Sequence, residues 1–236
     1  MFTFIAFAAG LVRGYSGFGF AMLMALGLML QLPPAEAVPV ALILDVACSV
    51  TLWPAALRAV HGRVLVRLLM GMLLAVPLGA WLLLWLPAHV MAPLVAVLCL
   101  CGGVLVLWLP SIATPLGQGM AWLAGLASGL ATTMASAGGP PLMIYLLRSG
   151  LDARQLRGTA VLFFLASSSF ALIGLGVAGV LTGAQWWLAL ELALPALAGN
   201  LLGQWLLPRW QPLSLRVLVG GLLVLLSAGS LLKAIW

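Results

Sequence analysis

The sequence predicts an integral membrane protein built only of α-helices, and three observations lead to this prediction. Of the 236 residues, 65% are hydrophobic and only 6% are charged, whereas about a quarter of the residues of a soluble domain are charged. The apolar residues form runs of about 20, the length that a helix needs to cross a bilayer. None of these runs alternates as a membrane β-barrel requires. Soluble catalytic, nucleotide-binding and DNA-binding modules are therefore excluded.

The few charged residues indicate how the chain is oriented in the membrane, and the cysteines indicate packing in the interior. The net charge of +6 lies in short connections between apolar runs, which is typical of a membrane topology signal and not of a nucleic-acid surface. Cys48, Cys99 and Cys101 lie inside apolar runs without the spacing of a zinc site or disulfide framework. We therefore predict no metal site and no cofactor. The first apolar run has no basic region before it and no cleavage signature, so we expect it to be retained.

Prolines, glycines and arginines divide the chain into about eight apolar segments, each predicted to be helical. They lie near residues 1–31, 36–57, 64–86, 90–110, 118–148, 156–179, 184–207 and 213–236. The most polar link of the first half is RAVHGRVLVR (58–67), and that of the second half is RSGLDARQLR (148–157). We interpret both as loops at a water interface.

The two halves resemble each other at an offset of about 115 to 121 residues. AGL at residues 9–11 matches AGL at 124–126, and each is followed three residues later by a glycine. Within the same range of offsets, Pro77 matches Pro195. We therefore predict two copies of one unit, comprising residues 1–112 and 113–236.

The first segment of each half is interrupted, by GYSGFGF (14–20) and by ATTMASAGGPP (131–141). Each flank has about a dozen residues, and at 1.5 Å per residue it spans about 18 Å, too little for a hydrocarbon core of about 30 Å. Two arrangements remain open. The segment is either one long helix broken in the middle or a re-entrant hairpin that enters and leaves on the same side.

The charge of the two arginine-rich links favours the hairpins. If all eight segments cross, links 58–67 and 148–157 lie on opposite sides, which breaks the positive-inside rule. If the first segment of each half is re-entrant, each half has three crossings and both links lie in the cytoplasm. The halves are then inverted repeats, a recurring transporter design, although parallel repeats remain open. We predict a multi-pass protein of the bacterial inner membrane.

The two interruptions are the predicted substrate site. A helix broken inside a membrane frees N–H groups and presents a positive helix end, both of which suit an anion. Arg13 adjoins the first interruption, and an arginine at membrane depth needs a partner or a water-filled cavity. The predicted substrate-binding residues are Arg13, Gly14, Ser16, Gly17, Gly19, Thr132, Thr133, Ser136, Gly138 and Gly139. The alternative is that the glycines permit tight helix packing and that Arg13 extends to an interface.

Two carboxylates lie inside apolar segments, Asp45 in ALILDVACS and Glu191 in WLALELALP. Because an ionised carboxylate in hydrocarbon is costly, we predict that each takes up a proton during transport. A structural bond, such as one between Asp45 and Arg13, is the alternative. The predicted path-lining residues are Ser168, Asn200 and Gln204. Such side chains also join helices in membranes.

The chain resembles the sulfite exporter TauE/SafE family of membrane permeases over essentially its whole length. The resemblance rests on the duplicated halves, each opening with a Gly-rich broken segment (AGLVRGYSGFGF and AGLASGLATTMASAGGPP) followed by PPAEA or LDARQLRGTA. It implies a carrier that exports sulfite, sulfoacetate or related organosulfur anions. The second motif departs from the fuller glycine run of the family, because Ala-Ser-Ala precedes Gly138.

From the residues and the resemblance together, we expect a secondary transporter of small anions that works by alternating access without ATP. The expected partners are a small anionic substrate and the lipid bilayer, and a homo-oligomer is left open. An anion channel is the first alternative. An intramembrane enzyme is the second, although the chain lacks an intramembrane histidine, paired aspartates and a GxSG-type nucleophile setting.

Overall fold

The computed structural model of the protein describes residues 1–108, 116–117 and 119–207, with isolated positions 209, 224 and 228. Within these residues the helices are α1 (Phe2–Ser16), α2 (Phe20–Met29), α3 (Pro34–Leu57), α4 (Gly62–Trp85), α5 (Ala88–Trp108), α6 (Met120–Ala135), α7 (Gly139–Leu147), α8 (Ala153–Val177) and α9 (Gly183–Leu206). The last predicted segment, 213–236, lies outside the described residues apart from two isolated positions.

Over the described residues, the prediction of an all-helical membrane protein is confirmed. Among these residues four helices, α3, α4, α8 and α9, are long and apolar enough to cross a bilayer. Their outward faces carry large exposed apolar side chains, for example Leu74 on α4 and Leu194 on α9. Prolines lie inside several of these helices, including Pro77 in α4 and Pro195 in α9, which neighbouring helices make tolerable in a membrane.

The first predicted segment folds back on itself. Helix α1 ends at Gly17 (φ 82°), and Gly19 (φ 89°) precedes α2; glycine adopts these left-handed conformations without strain. Ile5, near the start of α1, packs on Gly27, near the end of α2, where a Cβ would lie 2.5 Å from Ile5 Cγ2. Because these two residues lie far from the turn on opposite sides of it, their contact shows that α1 and α2 form an antiparallel hairpin.

The first segment of the second half also forms a hairpin, from α6 and α7. Ser136, at the end of α6, has a left-handed φ of 54°. The amide of Leu116, before α6, donates to the carbonyl of Arg148, after α7, at 2.8 Å. The chain therefore enters and leaves this hairpin at the same end, as it does in the first one.

Each hairpin packs on a long helix of the other half, α1 on α9 and α6 on α4. Glycines form both contacts. A Cβ on Gly14 would overlap the backbone carbonyl of Asn200, and a Cβ on Gly125 would overlap that of Leu68. Small residues let membrane helices approach this closely, so the packing alternative for the glycines is confirmed at Gly14.

The interpretation of links 58–67 and 148–157 as loops was wrong in its extent. Six of the ten residues of the first link and five of the ten of the second are helical, and they form the first turns of α4 and α8, which side chains cap. His61 Nδ1 accepts from the amide of Val64 at 3.4 Å, and Asp152 Oδ1 accepts from the amide of Gln155 at 2.7 Å. Such caps satisfy the free amides of a first turn.

The two arginine-rich links lie at the same end of the bundle. The amide of His61 donates to Thr159 Oγ1 at 3.1 Å. A Cβ on Gly158 would lie 3.0 Å from the carbonyl oxygen of Ala56. The end of α3 and the start of α8 are therefore neighbours.

Candidate functional site

A small cavity lies between the turns of the two hairpins and helices α3 and α8. Its lining comprises Arg13, Gly19, Ala21, Met22, Asp45, Thr132, Ser136, Gly139, Phe164 and Ser168. The free space at its centre is about that of one water molecule. The cavity thus joins four elements that are far apart in the sequence.

Arg13 and Asp45 form a buried ion pair at this cavity. Each side chain is 1% exposed, and Arg13 Nη1 lies 3.4 Å from Asp45 Oδ1. Arg13 Nη2 donates to Ser49 Oγ, and Ser168 Oγ donates to Asp45 Oδ2 at 2.8 Å. The Arg13 guanidinium also lies 5.3 Å from the ring centroid of Phe164, a cation–π contact. Arg13 therefore does not extend to an interface, and the alternative considered for Asp45, a structural bond to Arg13, is present.

Three buried polar atoms around the cavity have no hydrogen-bond partner among the described residues. They are Arg13 Nε, Asp45 Oδ1, whose contact with Arg13 is ionic only, and Ser136 Oγ. Ser136 is also the one non-glycine residue with positive φ in the described part of the chain, a conformation that costs about 1–3 kcal/mol. Buried polar groups are normally paired. Two unpaired donors and one unpaired carboxylate oxygen therefore belong to residues that line this cavity.

The other hydroxyl groups of the second hairpin are used within the bundle. Thr132 lines the cavity, and its Oγ1 donates to the carbonyl of Ser128 at 2.8 Å. Ser128 Oγ donates to the carbonyl of Gly138 at 2.5 Å, which ties the end of α6 to the turn. Thr133 instead faces α4, where its Cβ lies 2.7 Å from the position of a Cβ on Gly79. Of the predicted hydroxyl donors on this hairpin, Ser136 is the one with an unpaired oxygen.

The turn of the first hairpin is built from its own backbone and Ser16. Ser16 Oγ lies 2.7 Å from the carbonyl of Val12, and the amide of Phe18 donates to Ser16 Oγ at 3.2 Å. Gly17 and Gly19 supply the left-handed turn, and Gly19 lines the cavity. Ser16 therefore stabilises the turn and is not part of the cavity lining.

Of the predicted path-lining residues, Ser168 lies at the cavity, whereas the other two join α9 to α3. Asn200 Nδ2 donates to the carbonyl of Cys48 at 3.0 Å and to Thr51 Oγ1 at 2.7 Å. Gln204 Nε2 donates to the same Thr51 Oγ1 at 3.2 Å. These two amides hold the α3–α9 contact against which the first hairpin packs.

Glu191 lies away from the cavity. It is exposed on the outer face of α9, where Trp187, Leu190 and Leu194 are exposed beside it. The two predicted proton-binding carboxylates therefore have different surroundings, and Asp45 is the one that contacts Arg13.

The sequence did not single out Ser49, Phe164 or Arg157 as site residues. Ser49 lies one helical turn after Asp45, and Phe164 lies one turn before Ser168, so helical spacing from predicted residues was the available signal. Arg157 was assigned to a loop. In the structure its Nη2 donates to the carbonyl of Gly14 at 2.6 Å.

Comparison with known proteins identifies the family of the chain. No curated protein and no solved structure matches the chain. The family model described as Sulfite exporter TauE/SafE matches residues 2–230, which include both hairpins and the Arg13–Asp45 pair. The resemblance found in the sequence is thereby confirmed, and the chain belongs to the sulfite exporter TauE/SafE family of membrane transporters.

Proposed function

We propose that this chain is a secondary transporter that exports small anions, of the sulfite or organosulfur class such as sulfoacetate. The observation that carries the proposal is that the buried Arg13, with an unpaired Nε, lines the same cavity as Ser136, whose hydroxyl is unpaired. Guanidinium and hydroxyl donors are the groups with which proteins bind oxyanions. Family membership supports the same class of substrate.

The size of the cavity supports alternating access over an open channel. Space for about one water molecule is too small for sulfite, so the hairpins must separate before the anion enters. Each hairpin packs on a long helix of the opposite half, α1 on α9 and α6 on α4. This exchange supports inverted repeats of residues 1–112 and 113–236 around a central site, with moving bodies that each combine parts of both repeats.

The ion pair supports coupling between the anion and a proton. In the closed arrangement Asp45 neutralises Arg13, so an incoming anion competes with a carboxylate for the guanidinium. If Asp45 takes up a proton, that competition ends and Arg13 becomes available. Anion and proton then bind together and move in the same direction, and export is driven by the gradient of the anion itself. Coupling through Asp45 does not involve Glu191, which faces outward.

Radioactive sulfite exchange in proteoliposomes tests the proposed substrate. We expect saturable flux, with inhibition by sulfoacetate and none by a cation of similar size. Ser136→Ala removes one hydrogen bond to a charged ligand, so KM should rise at least about 10-fold. Ser169→Ala is the matched control, because the Ser169 hydroxyl bonds the carbonyl of Leu165 in its own helix. Absence of saturable sulfite flux in the wild-type protein would overturn the proposal.

Proton coupling is tested with Asp45→Asn in the same vesicles. An imposed pH gradient should drive sulfite flux in the wild-type protein. In the variant the gradient should not change the flux, while sulfite exchange at equal pH should persist. A wild-type response to the gradient in a folded Asp45→Asn protein would exclude Asp45 as the proton carrier.

The proposed topology is tested by single cysteines at the first residues of α4 and α8. Gly62→Cys and Ala153→Cys both place the thiol at an exposed position, in a background without Cys48, Cys99 and Cys101. An impermeant thiol reagent should label both from the cytoplasmic side. Labelling from opposite sides would contradict the inverted repeat.

A further inference from the structure

Arg157 lies between the cavity and the end of the bundle at which both arginine-rich links meet. Residues 157, 161, 164 and 168 share one face of α8 by helical spacing, and Phe164 and Ser168 line the cavity. At 1.5 Å per residue, Arg157 is about 10 Å closer than Phe164 to the start of α8. A solute that comes from the arginine-rich end along this face meets Arg157 first.

Arg157 contacts the turn of the first hairpin directly. Its Nη2 donates to the carbonyl of Gly14 at 2.6 Å. A Cβ on Gly17 would lie 3.0 Å from Arg157 Cγ and 3.3 Å from Val161 Cγ2, so the turn rests against this face of α8. These contacts hold the hairpin against α8 above the cavity.

The two arginines at this hairpin differ in their partners. Arg13 is neutralised by Asp45. Arg157 has no carboxylate partner in the described part of the chain, where its hydrogen-bond acceptor is the neutral Gly14 carbonyl and its Nε is buried and unpaired. A hydrogen bond between two charged groups is roughly twice as strong as a neutral one. An oxyanion therefore competes well with the Gly14 carbonyl for this guanidinium.

We propose that Arg157 is an anion-operated latch: it holds the first hairpin over the cavity, and an oxyanion arriving from the arginine-rich end releases it by replacing the Gly14 carbonyl. This inference rests on the proposed function and adds the route of access and the residue that selects the substrate first. A cation or a neutral solute does not displace the carbonyl, so selection for anions begins before the substrate reaches Arg13.

A purely structural role for Arg157 makes a different prediction. Gly14 lies in the last turn of α1, and an arginine that binds a carbonyl there also stabilises the helix end. A cap of this kind does not respond to an anion in solution. The experiment must therefore measure opening as well as stability.

Val161→Cys in a background without the three native cysteines provides the reporter. Val161 is buried against Gly17 below Arg157 and is not part of the cavity lining, so an anion bound in the cavity does not cover it.

A charged methanethiosulfonate reagent is added from the side that labels Gly62→Cys. Methanesulfonate is the probe anion, and gluconate is the reference anion. With Arg157 intact, methanesulfonate should accelerate modification at least about 5-fold, the size expected if it releases a hydrogen bond of about 1 kcal/mol.

Arg157→Gln should make modification about 10-fold faster in gluconate and insensitive to methanesulfonate. Arg154→Gln, a change at an exposed arginine of the same helix start, should behave as the wild type. A wild-type rate and a wild-type response in Arg157→Gln would overturn the latch. So would a lower Tm without any change in rate, since that is the result for a structural cap.

Arg157→Lys keeps the test decisive if Arg157→Gln does not fold. Lysine retains the charge without the planar fork, so we expect a raised rate in gluconate and a retained response to methanesulfonate. A wild-type rate without a response would overturn the latch. Sulfite flux is measured in parallel: flux without any effect of Arg157 overturns only the latch, and an anion-dependent latch without sulfite flux overturns only the proposed function.

Discussion

The two hairpins have the same shape and different chemistry. The first turns through left-handed Gly17 and Gly19 and carries Arg13 in the last turn of α1. The second turns through left-handed Ser136, and Ser128 lies where the first hairpin has Arg13, three residues after the matching glycine. The first hairpin thus supplies the charge of the site, and the second supplies neutral donors.

This difference shows which properties the proposed duplication constrains. The glycine faces of α1 and α6 must be kept, because each packs directly on the backbone of a long helix. The residues that face the cavity are free to diverge. A second buried arginine would need a second carboxylate, since an uncompensated buried charge costs several kcal/mol. One ion pair facing a neutral hairpin avoids that cost.

The largest effect should come from the packing that both hairpins share. Gly14→Ala and Gly125→Ala each place a Cβ into the backbone of the partner helix, which cannot give way as a flexible side chain does. We expect each to cost at least about 3 kcal/mol and to yield little folded protein in size-exclusion chromatography. Gly62→Ala, with nothing within 4 Å of the new Cβ, is the control. A strong effect at only one of the two glycines would show that the packing is not equivalent.

The next largest effect on stability is expected from the charge that only the first hairpin carries. Arg13→Gln leaves Asp45 buried without its partner, so the free energy of unfolding should fall by about 3–5 kcal/mol. Adding Asp45→Asn should restore most of this loss. Ser128→Ala, the matching position of the second hairpin, should cost about 1 kcal/mol. Chemical denaturation in detergent measures all four proteins, and failure of the double variant to recover stability would mean that the pair is not coupled as its geometry indicates.

The turns themselves should respond in opposite directions. Ser136→Gly relieves a left-handed φ and should stabilise the protein by up to about 1 kcal/mol, while removal of the hydroxyl weakens sulfite binding. Gly17→Ser places a side chain at the left-handed position of the first turn and should destabilise the protein by at least about 1 kcal/mol. Thermal unfolding and the KM for sulfite are the two measurements. A stabilised Ser136→Gly protein with wild-type KM would remove Ser136 from the site.

The smallest effect is expected at the start of α7. A Cβ on Gly139 would lie 3.7 Å from Met22 Sδ, an ordinary contact, at the edge of the cavity. Gly139→Ala should change the free energy of unfolding by less than about 0.5 kcal/mol. Because the new methyl group narrows the cavity, it should slow the transport of sulfoacetate more than that of sulfite. Gly138→Ala is the contrasting variant, since its Cβ would overlap Thr132 Oγ1. Equal effects of Gly139→Ala on both substrates would show that the methyl group does not meet the ligand.

The positions of the helices were predictable because helix length in a membrane is a local property. The segments predicted at 36–57 and 184–207 correspond to helices Pro34–Leu57 and Gly183–Leu206. Glycine-rich interruptions likewise marked both turns. That Arg13 and Asp45 need partners was predictable because an ionisable group in an apolar run needs one.

The contacts between distant segments were not predictable in the same way. Arg157 and Gly14 are separated by 143 positions, and no local pattern shows that they meet. Asn200 and Glu191 lie on one helix, yet Asn200 is fully buried and Glu191 is exposed. Their polarity alone did not show which of the two faces the bundle. Which residues pair, and which side of a helix faces the bundle, depend on tertiary packing, which the local composition of a sequence does not show.

The exchange of hairpins between halves determines which parts of this transporter are able to move as units. Helix α1 is locked to α9, and α6 to α4, by glycines that leave no gap between backbones. A rigid body therefore combines a hairpin of one repeat with a long helix of the other. Under the proposed alternating access, the plane along which the molecule opens therefore cuts through each proposed repeat, and the hinges lie within both of them.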